Sequence, residues 1–302
     1  MRNTLLWAPA LLLAACGGTA PAAAPVAPAA ALALPESTVV LDAATGAPIA
    51  SAELLRRARA ADFVLLGEIH DNIAHHQVRG ALLTAAGRHP AVVFEQFARS
   101  AGPIPPPAGG TADDAWLDQY GFDRKNWRWP LHQPVVQAAL ASGQGVWGSG
   151  LPRETLRAVV RGGAAAAPPE LRAIIEQAPL DSVARAAIDR ELFEGHCGKL
   201  PAEMVPGMRA AQELRDASMA EALLTAAKGG GPAWLIAGDG HVRADMAVPR
   251  MLRRVAPGKT LLIVGVVERG TEAAVPGPEA ARQYQVLIVT PPAAREDPCA
   301  SL

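Results

Sequence analysis

The sequence predicts an α/β fold, a mostly parallel sheet flanked by helices, with a helical cap inserted around residues 151–230. Three observations predict it. Short apolar runs bounded by Gly or Pro alternate with segments of helical periodicity in the first half of the chain. The stretch from Pro152 to Gly230 then carries several helical patterns and no convincing strand. Beyond it the apolar runs resume.

The expected strands are Val39–Leu41, Phe63–Leu66, Ala91–Phe94, Gly145–Gly148, Ala233–Ala237, Thr260–Val267 and Tyr284–Thr290. A helix from about Asn72 to Ala86 follows the second of them, with Asp71 as N-cap and Gly87 as its stop. Others run near Ala112–Gln119 and Pro134–Ser142. A longer helix runs from about Pro206 to Lys228, and another lies around Met246–Arg253. The last two strands have no helix-length pattern between them, and Pro276-Gly277-Pro278 marks a loop there, which predicts an antiparallel pair. The loop Pro103–Pro107 leaves the strand that ends at Glu95, so it is expected near the carboxyl edge of the sheet.

The ends are read separately. Met1-Arg2-Asn3 is a short positive start, and Leu5 to Leu13 is apolar but too short for a mature membrane span. Leu13-Ala14-Ala15-Cys16 resembles a bacterial lipobox, in which Cys16 is lipidated and becomes the new N-terminus. The alternative is an ordinary secretory signal. Acyl chains on Cys16 would anchor the protein in the cell envelope. Gly17, in place of the Asp of inner-membrane retention, points to the outer membrane, facing the periplasm. The expected organisation is a signal peptide over 1–16, an Ala/Pro-rich linker over 17–36, one domain over 37–290 and a flexible tail over 291–302. Fully extended, the linker reaches roughly 3 Å per residue, about 50–60 Å in all.

Half of the 302 residues are hydrophobic, enough for a full core, and the formal net charge is -1. No Lys/Arg block stands out, so no nucleic-acid partner is expected. Neither a Gly-x-x-x-x-Gly-Lys phosphate loop nor a Gly-x-Ser-x-Gly elbow occurs, which removes support for those enzyme classes.

Gly-x-x-His occurs twice, each time after an apolar run: Gly67-Glu68-Ile69-His70 and Gly238-Asp239-Gly240-His241. A strand that ends this way presents ionisable groups at its carboxyl end, where open α/β sheets bind ligands. Two such edges predict one shared site with a His and a carboxylate from each half. Glu95 ends a third run and repeats the placement of Glu68. Imidazole and carboxylate are ligands for a divalent metal, so Glu68, His70, Glu95 and His241 form the candidate metal and catalytic set. Read blandly, Asp71 and Asp239 are helix caps, and His75 and His76 are surface residues of the helix that follows.

Other residues have two readings each. Gly195-His196-Cys197-Gly198 is either a metal or haem contact or a buried turn between helices. Cys197 and Cys299 either pair in an oxidising compartment or remain free thiols. Arg215 shares a helix face with Gln212 and Met219, and either holds a ligand carboxylate or staples the helix to the sheet. The chain has two Tyr, Tyr120 and Tyr284, each a packing residue or a ligand for ferric haem.

Taken in order, Gly67-Glu68-Ile69-His70-Asp71-Asn72, His75-His76-x-x-Arg79, Glu95, Gly195-His196-Cys197-Gly198, Gln212-x-x-Arg215-Asp216-x-x-Met219-Ala220 and Gly238-Asp239-Gly240-His241 resemble the ChaN family of haem-binding lipoproteins. That family sits in the Tiki-like superfamily, with metal-dependent proteases and erythromycin esterases. The resemblance covers roughly Val39 to Thr290. It implies an α/β fold with a helical cap, haem as cofactor, a homodimer around the haem pocket, and a role in iron and haem uptake. It implies haem-contacting roles for His70, His241, Arg215, His196 and a Tyr, Tyr120 or Tyr284. The Trp127-Arg128-Trp129-Pro130-Leu131 segment lacks a Tyr that relatives carry. The alternative within the superfamily is a hydrolase in which a divalent metal activates water beside Glu68, His70, Glu95 and His241.

Overall fold

The computed structural model describes residues 31–87, 89–142, 144–297 and 299–300. Cys16 and the expected signal peptide over 1–16 lie outside the described residues.

The chain opens with β1 (Val39–Asp42), α1 (Ser51–Ala60), β2 (Phe63–Leu66), α2 (Ile73–Ala86) and β3 (Ala91–Ala98). Then come α3 (Asp114–Gln119), α4 (Gln133–Ala141) and β4 (Val146–Gly150). Four helices follow without a strand: α5 (Arg153–Gly162), α6 (Pro169–Gln177), α7 (Ser182–Gly195) and α8 (Val205–Ala226). The chain closes with β5 (Ala233–Ile236), α9 (Asp239–Val242), α10 (Val248–Val255), β6 (Leu261–Glu268), α11 (Pro278–Gln283) and β7 (Val286–Thr290). The seven apolar runs are the seven strands, and α5 to α8 are the expected insertion.

The strands form one sheet in the order β1-β7-β6-β2-β5-β3-β4. All neighbours are parallel except β1 and β7. β2, β5 and β6 are nearly continuous apolar runs because helices cover both faces. One core cluster holds α1, α2 and α4 against Val64, Phe94 and Val264. The other holds α8 and α10 against Leu65, Leu235 and Ile263. Among the described residues no helix is long and apolar enough to cross a membrane.

Two expectations are corrected. β6 and β7 are parallel, since α11 carries the chain back across the sheet. Six residues beginning at Pro278 are too few to show helical periodicity, so this crossover reads as a loop in the sequence. The antiparallel partner of β7 is β1. The loop Pro103–Pro107 lies at the amino end of β4, because the Ile104 N–H donates to the Val146 carbonyl.

The cap of α2 is Asn72, whose side chain accepts from the Ala74 N–H at 2.9 Å. Asp71 pairs instead with Arg295 of the C-terminal segment at 2.7 Å. Arg295 also reaches Glu268 at the end of β6, and a Cys197–Cys299 disulfide ties the segment to the end of α7. The expected free tail is therefore pinned at three points.

His75 and His76 are both fully buried, contrary to the surface reading. α2 packs between the sheet and α4, and both rings turn inward. The His75 Nδ1 accepts from the Ile69 N–H at 2.9 Å, and its Nε2 meets Thr290 Oγ1 at 3.0 Å. Burial and the Arg79 charge push its pKa down from 6.5 to about 3. A base whose folded pKa is depressed stabilises the fold above its unfolded pKa, and that stability is lost as pH falls toward the folded value. Between pH 6.5 and 3 the protein is expected to lose about 1 kcal/mol per pH unit through His75. Urea midpoints at about pH 7, 5.5 and 4.5 check this. His75→Gln should flatten the profile, and equal slopes in both proteins would contradict it.

Candidate functional site

β2, β5 and β3 are adjacent, so their carboxyl ends bring the two Gly-x-x-His turns together with Glu95. Glu95 lies within β3 rather than at its end, beside a register shift against β4 between Phe94 and Ala98. Its Oε2 accepts from the Gly238 N–H at 2.7 Å and lies 3.9 Å from His70 Nε2. Its Oε1 lies 3.5 Å from His241 Nε2. One carboxylate thus faces an imidazole from each half of the chain. A Cβ at residue 238 would sit 2.7 Å from His70 Nε2, so a larger residue there would displace the His70 ring.

Each imidazole has a buried carboxylate on its other nitrogen. His70 Nδ1 meets Glu68 Oε1 at 2.8 Å, and His241 Nδ1 meets Asp216 Oδ1 at 2.6 Å. Such a partner fixes the ring and, in the neutral form, leaves the Nε2 lone pair facing outward. Asp216 comes from α8, so the inserted helices complete the His241 side.

Glu68 is 2% exposed, and side-chain nitrogens surround it. Arg79 Nη2 bonds its Oε2, with His76 Nδ1 2.9 Å from the same oxygen. Gln96 Nε2 donates to Oε1 at 3.2 Å, and His132 Nε2 lies 3.4 Å from it. Burial alone would raise its pKa; the Arg79 and His76 charges outweigh that and hold it well below the usual range. Glu95 follows the same logic, brought down to about 2 by His241 against the effect of burial. Burial opposes the charge on His241, but Glu95 and Asp216 raise its pKa to about 10. Burial dominates at Asp216 and raises its pKa. His132, fully buried, is pushed down to about 4 by burial.

A cavity of about 1070 Å³ opens beside this cluster. Glu95, Gln96 and Trp127 line its near end, with Arg215 and Met219 from α8 along one wall. Trp127 meets the His70 ring edge-on at 4.8 Å, and the His70 side chain is 40% exposed. Glu68, His70 and His132 could hold a metal, their ligand atoms lying within 4.8 Å of one another.

The structure brings Glu68, His70, Glu95 and His241 together and places Arg215 on the cavity wall. Three predicted residues stand apart. Tyr284 is buried under β6, and its hydroxyl donates to Asp239. Tyr120 packs edge-on against Trp116 at 5.5 Å, while its neighbour Gly121 lines the cavity. His196 is exposed at the end of α7, its Nδ1 2.7 Å from the Leu192 carbonyl. Asp239 does not cap α10; it begins the short α9, and burial raises its pKa to about 6.

Sequence reasoning missed Asp216, His132 and Gln96 as site residues, and noted Asp216 and Arg79 only within motifs. The Gln212-x-x-x-Asp216 spacing was a usable signal, because both side chains reach His241. His132 carried none, since it lies outside every recognisable motif.

The model of the family described as haem-binding uptake, Tiki superfamily, ChaN matches residues 54–252. The chain belongs to the ChaN family. No curated protein matches it. Among solved structures, a ChaN of Campylobacter jejuni described with cofacial heme binding is 16% identical. It is matched over 85% of this chain and 98% of that one, with a TM-score of 0.65. At that identity the likeness concerns the ChaN fold alone. The type III effector HopBA1 is 12% identical over 79% of this chain and 92% of its own, with a TM-score of 0.41. A mutant of the erythromycin esterase EreC, in its open conformation, is 13% identical over 85% of each chain, with a TM-score of 0.37.

Proposed function

We propose that the protein binds haem in the cavity beside His70, as a lipid-anchored carrier of the cell envelope that serves haem and iron uptake. Membership of the ChaN family supports the ligand. The observation that carries the reading is His70 itself. Its Nδ1 is held by buried Glu68, its side chain is 40% exposed, and its neighbours Glu95 and Trp127 line a cavity of about 1070 Å³. Sites for organic ligands run to roughly 300–1,000 Å³, so the space suffices for a porphyrin. Met219 and Leu156 offer apolar wall, while Arg215, Arg153 and Lys228 offer cations to the propionates. His241 lies behind Glu95 and keeps that carboxylate in place. When bound, haem would supply the iron to be carried; His70 would offer a nitrogen to it, Met219 and Leu156 an apolar wall, and Arg215, Arg153 and Lys228 cationic partners. Lipidation of Cys16 and the periplasmic face of the outer membrane complete the proposal.

Hemin titration tests it. The wild type should give a saturable shift of the Soret band at one ratio of hemin to protein. His70→Ala should weaken binding at least tenfold, and Arg215→Ala by a smaller factor. No saturable spectral change in the wild type would end the carrier reading.

A second reading has one observation in its favour. Both imidazole Nε2 atoms face the same Glu95 carboxylate, and each Nδ1 is backed by an acid. Two His and a carboxylate make a divalent-metal site of hydrolytic type, with bound water as nucleophile. Metal-dependent hydrolysis with no response to hemin would select this reading.

A further inference from the structure

On the opposite side of His70 from Glu95 lies a second set of ligand atoms. Glu68 Oε1 is 2.8 Å from His70 Nδ1 and 3.4 Å from His132 Nε2. Metal–ligand bonds of about 2.0–2.2 Å place neighbouring ligand atoms roughly 3–3.5 Å apart around a tetrahedral ion. The Glu68–His132 separation is of that size, the Glu68–His70 separation is shorter, and all three ligand atoms lie within 4.8 Å of one another. The decisive residue is His132, which has no exposed surface and no hydrogen-bond partner on either ring nitrogen. A buried polar group without a partner costs about 1–3 kcal/mol, so such a group calls for an explanation. Packing fixes the ring, with His76 at 4.0 Å and Phe122 at 5.7 Å. Gln96 repeats the signal. Its Nε2 touches Glu68 Oε1 at 3.2 Å, while its own Oε1 is buried and unpartnered. A turn of that amide by about 180° exchanges a donor for an oxygen ligand.

We propose that Glu68, His70 and His132 hold a first-row divalent transition-metal ion on the Nδ1 side of His70. Two imidazoles and a carboxylate suit Zn²⁺ or Co²⁺ and are a poor set for Ca²⁺ or Mg²⁺. Arg79 and His76 occupy the Oε2 side of Glu68, leaving Oε1 to the cation. The ion replaces the proton on His70 Nδ1, and the ring takes up a proton at Nε2 beside Glu95. The site does not rest on the haem reading, since with the ion bound the protonated His70 Nε2 offers haem iron no lone pair, and it differs from the Glu95–His241 arrangement in needing His132.

Co²⁺ titration of the purified protein, followed by visible d–d absorption and stoichiometry, tests it without hemin. Wild type and His241→Ala should each take up one Co²⁺ with the same spectrum. His132→Phe, which fills the same aromatic cluster, should lose the band and bind at least a hundredfold more weakly while keeping its melting curve. Should His132→Phe not fold, His132→Asn takes its place with the same expectation. Three results would overturn the site: no saturable band in the wild type, an unchanged spectrum without His132, or loss of the ion in His241→Ala alone.

Discussion

Replacing Glu68 by Ala is expected to destabilise the protein by about 3–5 kcal/mol. The substitution removes the acceptor for Arg79, His70 and Gln96 and leaves a fully buried guanidinium without its paired carboxylate. Arg79 has no exposed surface, and its Nε and Nη1 are already without partners. Breaking a buried ion pair from one side is costly for that reason, whereas exchanging both partners for apolar groups of similar volume is nearly neutral. The double variant Glu68→Leu/Arg79→Met should therefore recover most of the loss while abolishing ligand binding. Urea unfolding of the three proteins decides the matter. If Glu68→Ala costs under about 1 kcal/mol, Glu68 does not balance Arg79.

Cys299→Ser is expected to lower the melting temperature by about 10 °C. The bond joins residues 102 apart. Closing a loop of that size restricts the unfolded chain by roughly 4–5 kcal/mol in the entropic model, and measured values are commonly about 2–4 kcal/mol. For a domain of this size a change of about 1 kcal/mol moves the midpoint by about 2–4 °C. A reductant should reproduce the shift in the wild type and leave Cys299→Ser unchanged. An identical midpoint with and without reductant would show that the bond contributes nothing.

The apolar runs located the strands, most clearly β2, β5 and β6, which are covered on both faces and read as nearly continuous apolar residues. They located Glu68, His70, Glu95 and His241 for a related reason: an ionisable residue at or just beyond the end of such a run has few structural explanations. Direction and depth were less legible. The parallel β6–β7 pair depends on α11, whose six residues are too short for a periodic signal. His75 and His76 fall early in α2, and tertiary contacts bury them, His75 against Thr290 at the end of β7 and His76 against His132 just before α4. Gly80 shows how close the helices come, since a Cβ there would lie 2.8 Å from the Pro134 carbonyl oxygen. His132 is brought to the site by tertiary packing alone, which no local pattern in its segment announces, whereas Asp216 shares a helical spacing with Gln212 that pointed to His241.

The strand order has a consequence for synthesis. β5 lies between β2 and β3, yet β3 ends at Ala98 and β5 begins only at Ala233. Until residue 233 has left the ribosome or the translocon, the two earlier strands each expose an unpaired central edge. Long-range parallel pairing of this kind is slow and prone to aggregation. Nascent chains shorter than that should need a chaperone, and fragments truncated before residue 233 should be insoluble.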